Sequence, residues 1–119
     1  MNELIESIFS NFTVEDVEIP VSYMFYEGHG EPYVTYMQEN ADGSFSGDDE
    51  LLGYVDYYDF DVYAKGESGI YFQIIESLKA ILKANNFVFQ PSRSSTDMYE
   101  TDTEYYHKTL NFAYLKEEN

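Results

Sequence analysis

Two histidines, 23 acidic residues and no cysteine bound the chemistry open to this 119-residue chain. A Ser–His–Asp triad could be drawn around His29 or His107. Neither comes with the Gly-x-Ser-x-Gly elbow that raises a nucleophile on a strand-to-helix turn. His29 lies between Gly28 and Gly30 in a turn signal, and His107 falls on the outward face of a strand, so both read as solvated side chains. Asp59 and Asp61 share a strand face, as a glycosidase pair would. With acids so abundant, a charged solvent face accounts for them better.

The acidic stretch 39–50 invites comparison with a calcium loop. Placing Gly43 at the sixth position puts Gln38 first, Asn40 third, Asp42 fifth and Asp49 twelfth. An EF-hand needs Asp first, a bidentate Glu last, and helices on both sides. Here the ends are wrong and the flanks read as strands, so the stretch is expected to be an exposed connection. The seven glycines form no nucleotide fingerprint, and Lys65-Gly66 is not a phosphate-binding loop. Without cysteine there are no disulfides, thiolate nucleophiles or sulfur-ligated zinc. The expectation is a chain that is not an enzyme and carries no cofactor or metal.

Charge is the strongest global feature. Six Lys and Arg against 23 Asp and Glu give a net −17. The cations, Lys65, Lys79, Lys83, Arg93, Lys108 and Lys116, are scattered along the sequence. Phosphate binding depends on clustered cations that release counterions, so tight binding to nucleic acid or an anionic membrane is not expected. No stretch approaches the roughly 20 apolar residues of a membrane span. The start, Met1-Asn2-Glu3-Leu4-Ile5-Glu6, has no basic leader region. Together with the lack of disulfides, this leads us to expect an intracellular protein. The 13 Tyr and 9 Phe suit half-buried strand faces and interfaces alike.

Hydrophobic spacing supplies the elements. Leu4, Ile5, Ile8, Phe9 and Phe12 predict a short helix over 2–11. Val17, Ile19, Val21, Tyr23 and Phe25 alternate, predicting a strand that Pro20 confines to a sheet edge or strand start. After the turn at Gly28–Pro32, a strand over 33–38 would close a hairpin with it. The longest strand is expected over 51–64, with Tyr54, Tyr58, Phe60, Val62 and Ala64 on one face and Asp59 and Asp61 on the other. The surest helix covers 70–84, striped by Tyr71, Ile74, Ile75, Leu78, Ile81 and Leu82, with Ser68 as cap and Asn85-Asn86 as stop. A short strand at 87–90, a polar loop at 91–103 and a last strand at 104–115 complete the chain. The predicted fold is one α+β domain over 1–119: a four- or five-stranded, mainly antiparallel sheet with two helices, the long one packed on one face.

Three segments carry a family resemblance. They are the strand and turn Leu51-Leu52-Gly53-Tyr54-Val55-Asp56-Tyr57-Tyr58-Asp59-Phe60-Asp61-Val62-Tyr63-Ala64-Lys65-Gly66, the helix Ile74-Ile75-Glu76-Ser77-Leu78-Lys79-Ala80-Ile81-Leu82-Lys83 with Asn85-Asn86-Phe87, and the stretch from Met98-Tyr99-Glu100 to Leu110-Asn111-Phe112. Their succession resembles the tail terminator, or head–tail joining, proteins of tailed phages and prophages of Gram-positive bacteria. The resemblance implies a ring, commonly a hexamer, that caps the tail tube, meets the head connector and lets DNA pass. It implies residence in the bacterial host cytoplasm during assembly and then in the virion. It transfers no active-site residues. An acidic bore would repel phosphate, and repulsion between acidic copies implies assembly helped by salt or by the tube. Ring contacts use two unlike patches per subunit. The candidates are the 39–50 loop, with Asp42, Asp48 and Asp49, and the 91–103 loop, with Met98, Tyr99 and Glu100. The composition also admits an alternative, an acidic DNA mimic that inhibits a nucleic-acid-binding protein. Such a mimic needs rows of carboxylates on a rigid face.

Overall fold

The computed structural model describes residues 2–24, 26, 32–39, 54–65, 69–102 and 104–116. The chain begins with helix α1 (Asn2–Ile8), then strands β1 (Thr13–Val14) and β2 (Val17–Glu18), which pair as a small antiparallel hairpin. Strands β3 (Val21–Tyr23), β4 (Tyr33–Gln38) and β5 (Tyr54–Lys65) follow, then helix α2 (Gly69–Ala84) and β6 (Phe87–Phe89). A 3₁₀ turn (Pro91–Arg93), β7 (Met98–Glu100) and β8 (Tyr105–Lys116) complete the described elements. The architecture is α+β, as the spacing predicts.

Six strands form the main sheet, in the order β3-β4-β5-β8-β6, with β7 also on β8. β8 lies along all twelve residues of β5. Its other edge is shared, with β7 opposite residues 105–107 and β6 opposite 112–114.

Two expectations are corrected here. The predicted strand from Val17 is broken at Ile19-Pro20, and its second half does not form a hairpin with β4. β3 and β4 run parallel, with Val21 opposite Val34 and Tyr23 opposite Tyr36. Backbone bonds at both ends hold that register: Val34 N–H donates to the Pro20 carbonyl at 2.9 Å, and Met24 N–H to the Tyr36 carbonyl at 2.8 Å. Pro20 lacks a donor but still accepts. The second correction concerns the polar loop at 91–103, which contains β7. The predicted cap Ser68, residue Phe25 and the first residues of the strand predicted from Leu51 lie outside the described residues.

α2 buries Tyr71, Ile74, Ile75, Leu78 and Leu82 against the sheet, the stripe its spacing predicts. Asn86 ends the helix in the left-handed region at φ 73°, and the Asn85 side-chain amide donates to the Ile81 carbonyl at 2.8 Å. Ile5, Phe9, Phe12, Val14 and Ile19, from α1, the hairpin and the segments beside them, join the same core. The sheet contributes Val34, Tyr36, Tyr58, Phe60, Val62, Ala64, Phe87, Leu110 and Phe112. Phe60 is central: its ring lies 6.2 Å from Phe9, 5.7 Å from Tyr36 and 5.7 Å from Phe112. Burying each such ring stabilises the fold by about 1.5–3 kcal/mol.

Two core tyrosines leave a polar atom unmatched. The hydroxyls of Tyr36 and Tyr58 are buried without a hydrogen-bond partner. A buried unpaired hydroxyl costs roughly 1–3 kcal/mol. Tyr58→Phe is therefore expected to match or raise the stability of the wild type by up to about 1 kcal/mol. A urea titration checks this, and a loss above about 1 kcal/mol would mean the hydroxyl has a partner after all.

Candidate functional site

The second face of the sheet carries the polar chemistry. Strand register sets its rows: Tyr33, Tyr63 and His107 lie abreast, then Thr35, Asp61 and Thr109, then Met37, Asp59 and Asn111. Strand periodicity puts every second side chain here, so alternation alone assembles the surface.

The first row is a stack of flat rings. Tyr26 lies on Tyr33 at 4.7 Å, Tyr33 on Tyr63 at 4.7 Å, and Tyr63 on the His107 imidazole at 4.2 Å. Tyr105 meets Tyr33 and Tyr63 edge-on at 6.0 and 6.1 Å. Burial, followed by the nearby charge of Asp61, pushes the Tyr63 phenol up to about 12, so it stays protonated at neutral pH.

The next rows form a hydrogen-bond network. Asp61 Oδ1 accepts from the Thr109 hydroxyl and lies 3.2 Å from His107 Nε2. Asn111 Nδ2 donates to Asp59 Oδ1 at 2.8 Å and to Glu39 Oε2 at 3.0 Å. Arg93 Nη2 donates to the other oxygen of Glu39 at 2.5 Å, and the guanidinium lies 3.9 Å over the Tyr57 ring. The 90–95 segment holds this network down. Gln90 N–H donates to the Asn111 carbonyl, Ser95 N–H to the Thr109 carbonyl, and the Ser94 and Ser95 hydroxyls accept from the Asn111 and Thr109 backbone.

Three sequence readings change as a result. His107 is not a solvated histidine, because its side chain is only 16 % exposed and is stacked and bonded. Asp59 and Asp61 are not a plain charged solvent face, because one oxygen of each is engaged, Asp59 by Asn111 and Asp61 by Thr109 and His107. Asn111, which strand alternation puts on the same face as His107, is fully buried. Its cover comes from Glu39, Arg93 and the 90–95 segment, all distant in sequence. Alternation in β8 alone could not signal it.

Chemically, the arrangement clamps strands rather than exposing a reactive group. The hydrogen bonds described above all join protein groups to one another, while Asn111 Oδ1 is buried without a hydrogen-bond partner. Among the described residues no group of three or more His, Asp or Glu is arranged to hold a metal ion.

The network gives Asp59 an unusual titration. Burial first raises its carboxyl; the Asn111 bond opposes that, Glu39 and Asp61 raise it further, and Arg93 opposes. The folded state thus holds this proton more tightly than the unfolded chain. Stability is full below the ordinary carboxylate value and is lost as pH rises through the higher folded one. Asp59→Asn keeps an oxygen for the Asn111 donor and removes the charge. It is expected to raise the melting temperature at pH 7 by roughly 2–5 °C, with the gain fading towards about pH 3.5. Calorimetry across pH tests this, and a lower melting temperature at pH 7 would contradict it.

Most of the exposed apolar side chains lie elsewhere, towards the two ends of the sheet, while Met37 of β4 is exposed on this face itself. Val17, Tyr23 and Met24 mark the β3 end. Val88, at 60 % exposure, Met98 and Tyr99 mark the β6–β7 end, and Phe72 on α2 is half exposed as well. Of the predicted interface residues, Met98, Tyr99 and Glu100 are therefore β7 itself. Tyr99 packs on Tyr106 at 4.9 Å while remaining half exposed, and Glu100 Oε2 lies 3.9 Å from His107 Nδ1. Asp42, Asp48, Asp49, the calcium-loop reading and His29 lie outside the described residues. Sequence reasoning missed Val17, Val88 and Phe72, because an apolar residue in a short strand or helix face carries no mark of being left uncovered.

A scan against protein-family models, a search of curated proteins and a search of solved structures found no match to this chain.

Proposed function

We propose that the chain is a structural morphogenesis subunit of a tailed phage or prophage, a tail terminator or head–tail joining protein that assembles into a ring on the tail tube. One observation carries the assembly reading: both terminal edges of a single sheet bear exposed apolar side chains, and the two edges are unlike. Clusters of that kind mark contact surfaces. Two unlike patches on one subunit generate head-to-tail contacts, which close into rings when the rotation allows. The resemblance of the 51–66, 74–87 and 98–112 segments supplies the family. The partners would be further copies of the chain, the tail-tube protein and the head connector, with DNA passing through the bore unbound. No helix among the described residues is long and apolar enough to cross a membrane.

Tail-tube protein from the same genome provides the test. Added during tube polymerisation at sub-stoichiometric amounts, the chain should shorten the tubes seen by electron microscopy and sit at one end. Unchanged tube lengths would contradict the reading. Tight, salt-sensitive capture of a basic DNA-binding protein instead would favour the DNA-mimic alternative.

A further inference from the structure

The β6 end of the sheet holds more than exposed side chains. Phe87, Val88, Phe89 and Phe112 line an open apolar groove of about 370 Å³, with Lys79 and Lys83 of α2 on its rim. The Lys79 ammonium lies 4.6 Å over the Phe89 ring and 3.8 Å from Glu76. Lys83 has no ion-pair partner among the described residues. Two of the six cations of a −17 chain thus stand over one apolar groove. Beside them, β6 pairs only with β8, so its outer backbone edge is open among the described residues.

The opposite end of the sheet has the complementary character. Among the described residues β3 pairs only with β4. The β1–β2 turn, which runs into β3 through Ile19-Pro20, carries Glu15, Asp16 and Glu18, all exposed, around the exposed Val17. Glu15 and Asp16 both adopt left-handed backbone, φ 55° and 67°. A turn with both central residues left-handed matches strand twist and favours a tight two-residue hairpin, here with two acids at its tip.

We propose that the β6 groove receives the β1–β3 end of a second copy of this chain, Val17 and Tyr23 entering the apolar surface and Glu15 and Glu18 meeting Lys79 and Lys83. The contact is heterologous, so each copy offers one end and accepts the other. This rests on the ring reading and assigns the surfaces that close it. An edge strand adding to an edge strand gains backbone hydrogen bonds, and the side chains beside it set specificity. The charge pairing fixes which end meets which. Two β6 ends would oppose lysines to lysines, and two β3 ends would oppose acids to acids.

The chain has no cysteine, so introduced thiols are unique reporters. Val88→Cys and Tyr23→Cys, at exposed positions, are made separately, checked by circular dichroism, mixed and oxidised. Cross-linked mixed dimers should exceed the self-dimers of either variant at least ten-fold. A chain carrying both substitutions should give a ladder of linked copies. Lys79→Glu/Lys83→Glu should weaken assembly ten-fold or more by light scattering, and adding Glu15→Lys/Glu18→Lys to the same chain should restore it. Self-dimers of Val88→Cys, or an assembly that forms without the mixed link, would overturn this contact while leaving the ring reading standing. A chain that stays monomeric at every concentration and salt would overturn both.

Discussion

Phe60→Ala is expected to remove about 3–5 kcal/mol of stability, the cost of emptying a fully buried aromatic site that cannot collapse. Phe60 has no exposure, and its ring lies among Phe9, just past α1, Tyr36 of β4 and Phe112 of β8. The segment just after α1 meets the sheet at this ring through Phe9, so the vacancy would loosen that packing. Total stability for a domain of this size is about 5–15 kcal/mol, so the variant would sit near its unfolding threshold at 37 °C. Urea unfolding read by circular dichroism measures the loss. A cost below about 1.5 kcal/mol would mean the layers do not meet at this residue.

Asn111→Asp is expected to cost a similar amount, for an electrostatic reason. Asn111 is fully buried and its amide donates to both Asp59 and Glu39. The substitution converts the donor into a third carboxylate among acceptors. Breaking a buried polar set in this way leaves uncompensated charge and costs about 3–5 kcal/mol. Because the cost needs ionised carboxyls, most of it should vanish near pH 4, where one or more are protonated. The exchange Asp59→Asn/Asn111→Asp should recover much of the loss at pH 7, since one amide again faces one carboxylate. Recovery in the double variant, scored as a double-mutant cycle, separates the network account from a general intolerance of charge at position 111. No recovery would contradict it.

How much of this was legible beforehand depended on whether the determinant was local. The α2 stripe from Tyr71 to Leu82 and the alternation of Tyr58, Phe60, Val62 and Ala64 are spacing properties, and the structure buries the residues they select, Ile81 only in part. The β1–β2 hairpin was hidden because its turn is Glu15-Asp16, without the Asn or Gly that usually signals left-handed residues. The parallel pairing of β3 with β4 was hidden because period-two spacing is the same in either direction, and a close successor strand favours the hairpin reading. The polar network escaped for a third reason. Glu39, Asp59, Arg93 and Asn111 meet only when β4, β5, the 3₁₀ turn and β8 are assembled, and nothing in any one segment announces the others. At the candidate interface, Met98–Glu100 was legible as a surface segment but not as a strand. Its pairing partner, Tyr105–His107, sets that.

The acidity of the chain shapes how assembly must be measured. Each copy carries a net −17, so copies repel one another at low ionic strength whatever a few contact pairs contribute. Native mass spectrometry, with light scattering at low and high salt, tests the central claim most directly. The ring account predicts closed assemblies at a whole multiple of 13.9 kDa, a six-fold species foremost, gaining population as salt rises. A species fixed at 13.9 kDa across all salt and protein concentrations would contradict it.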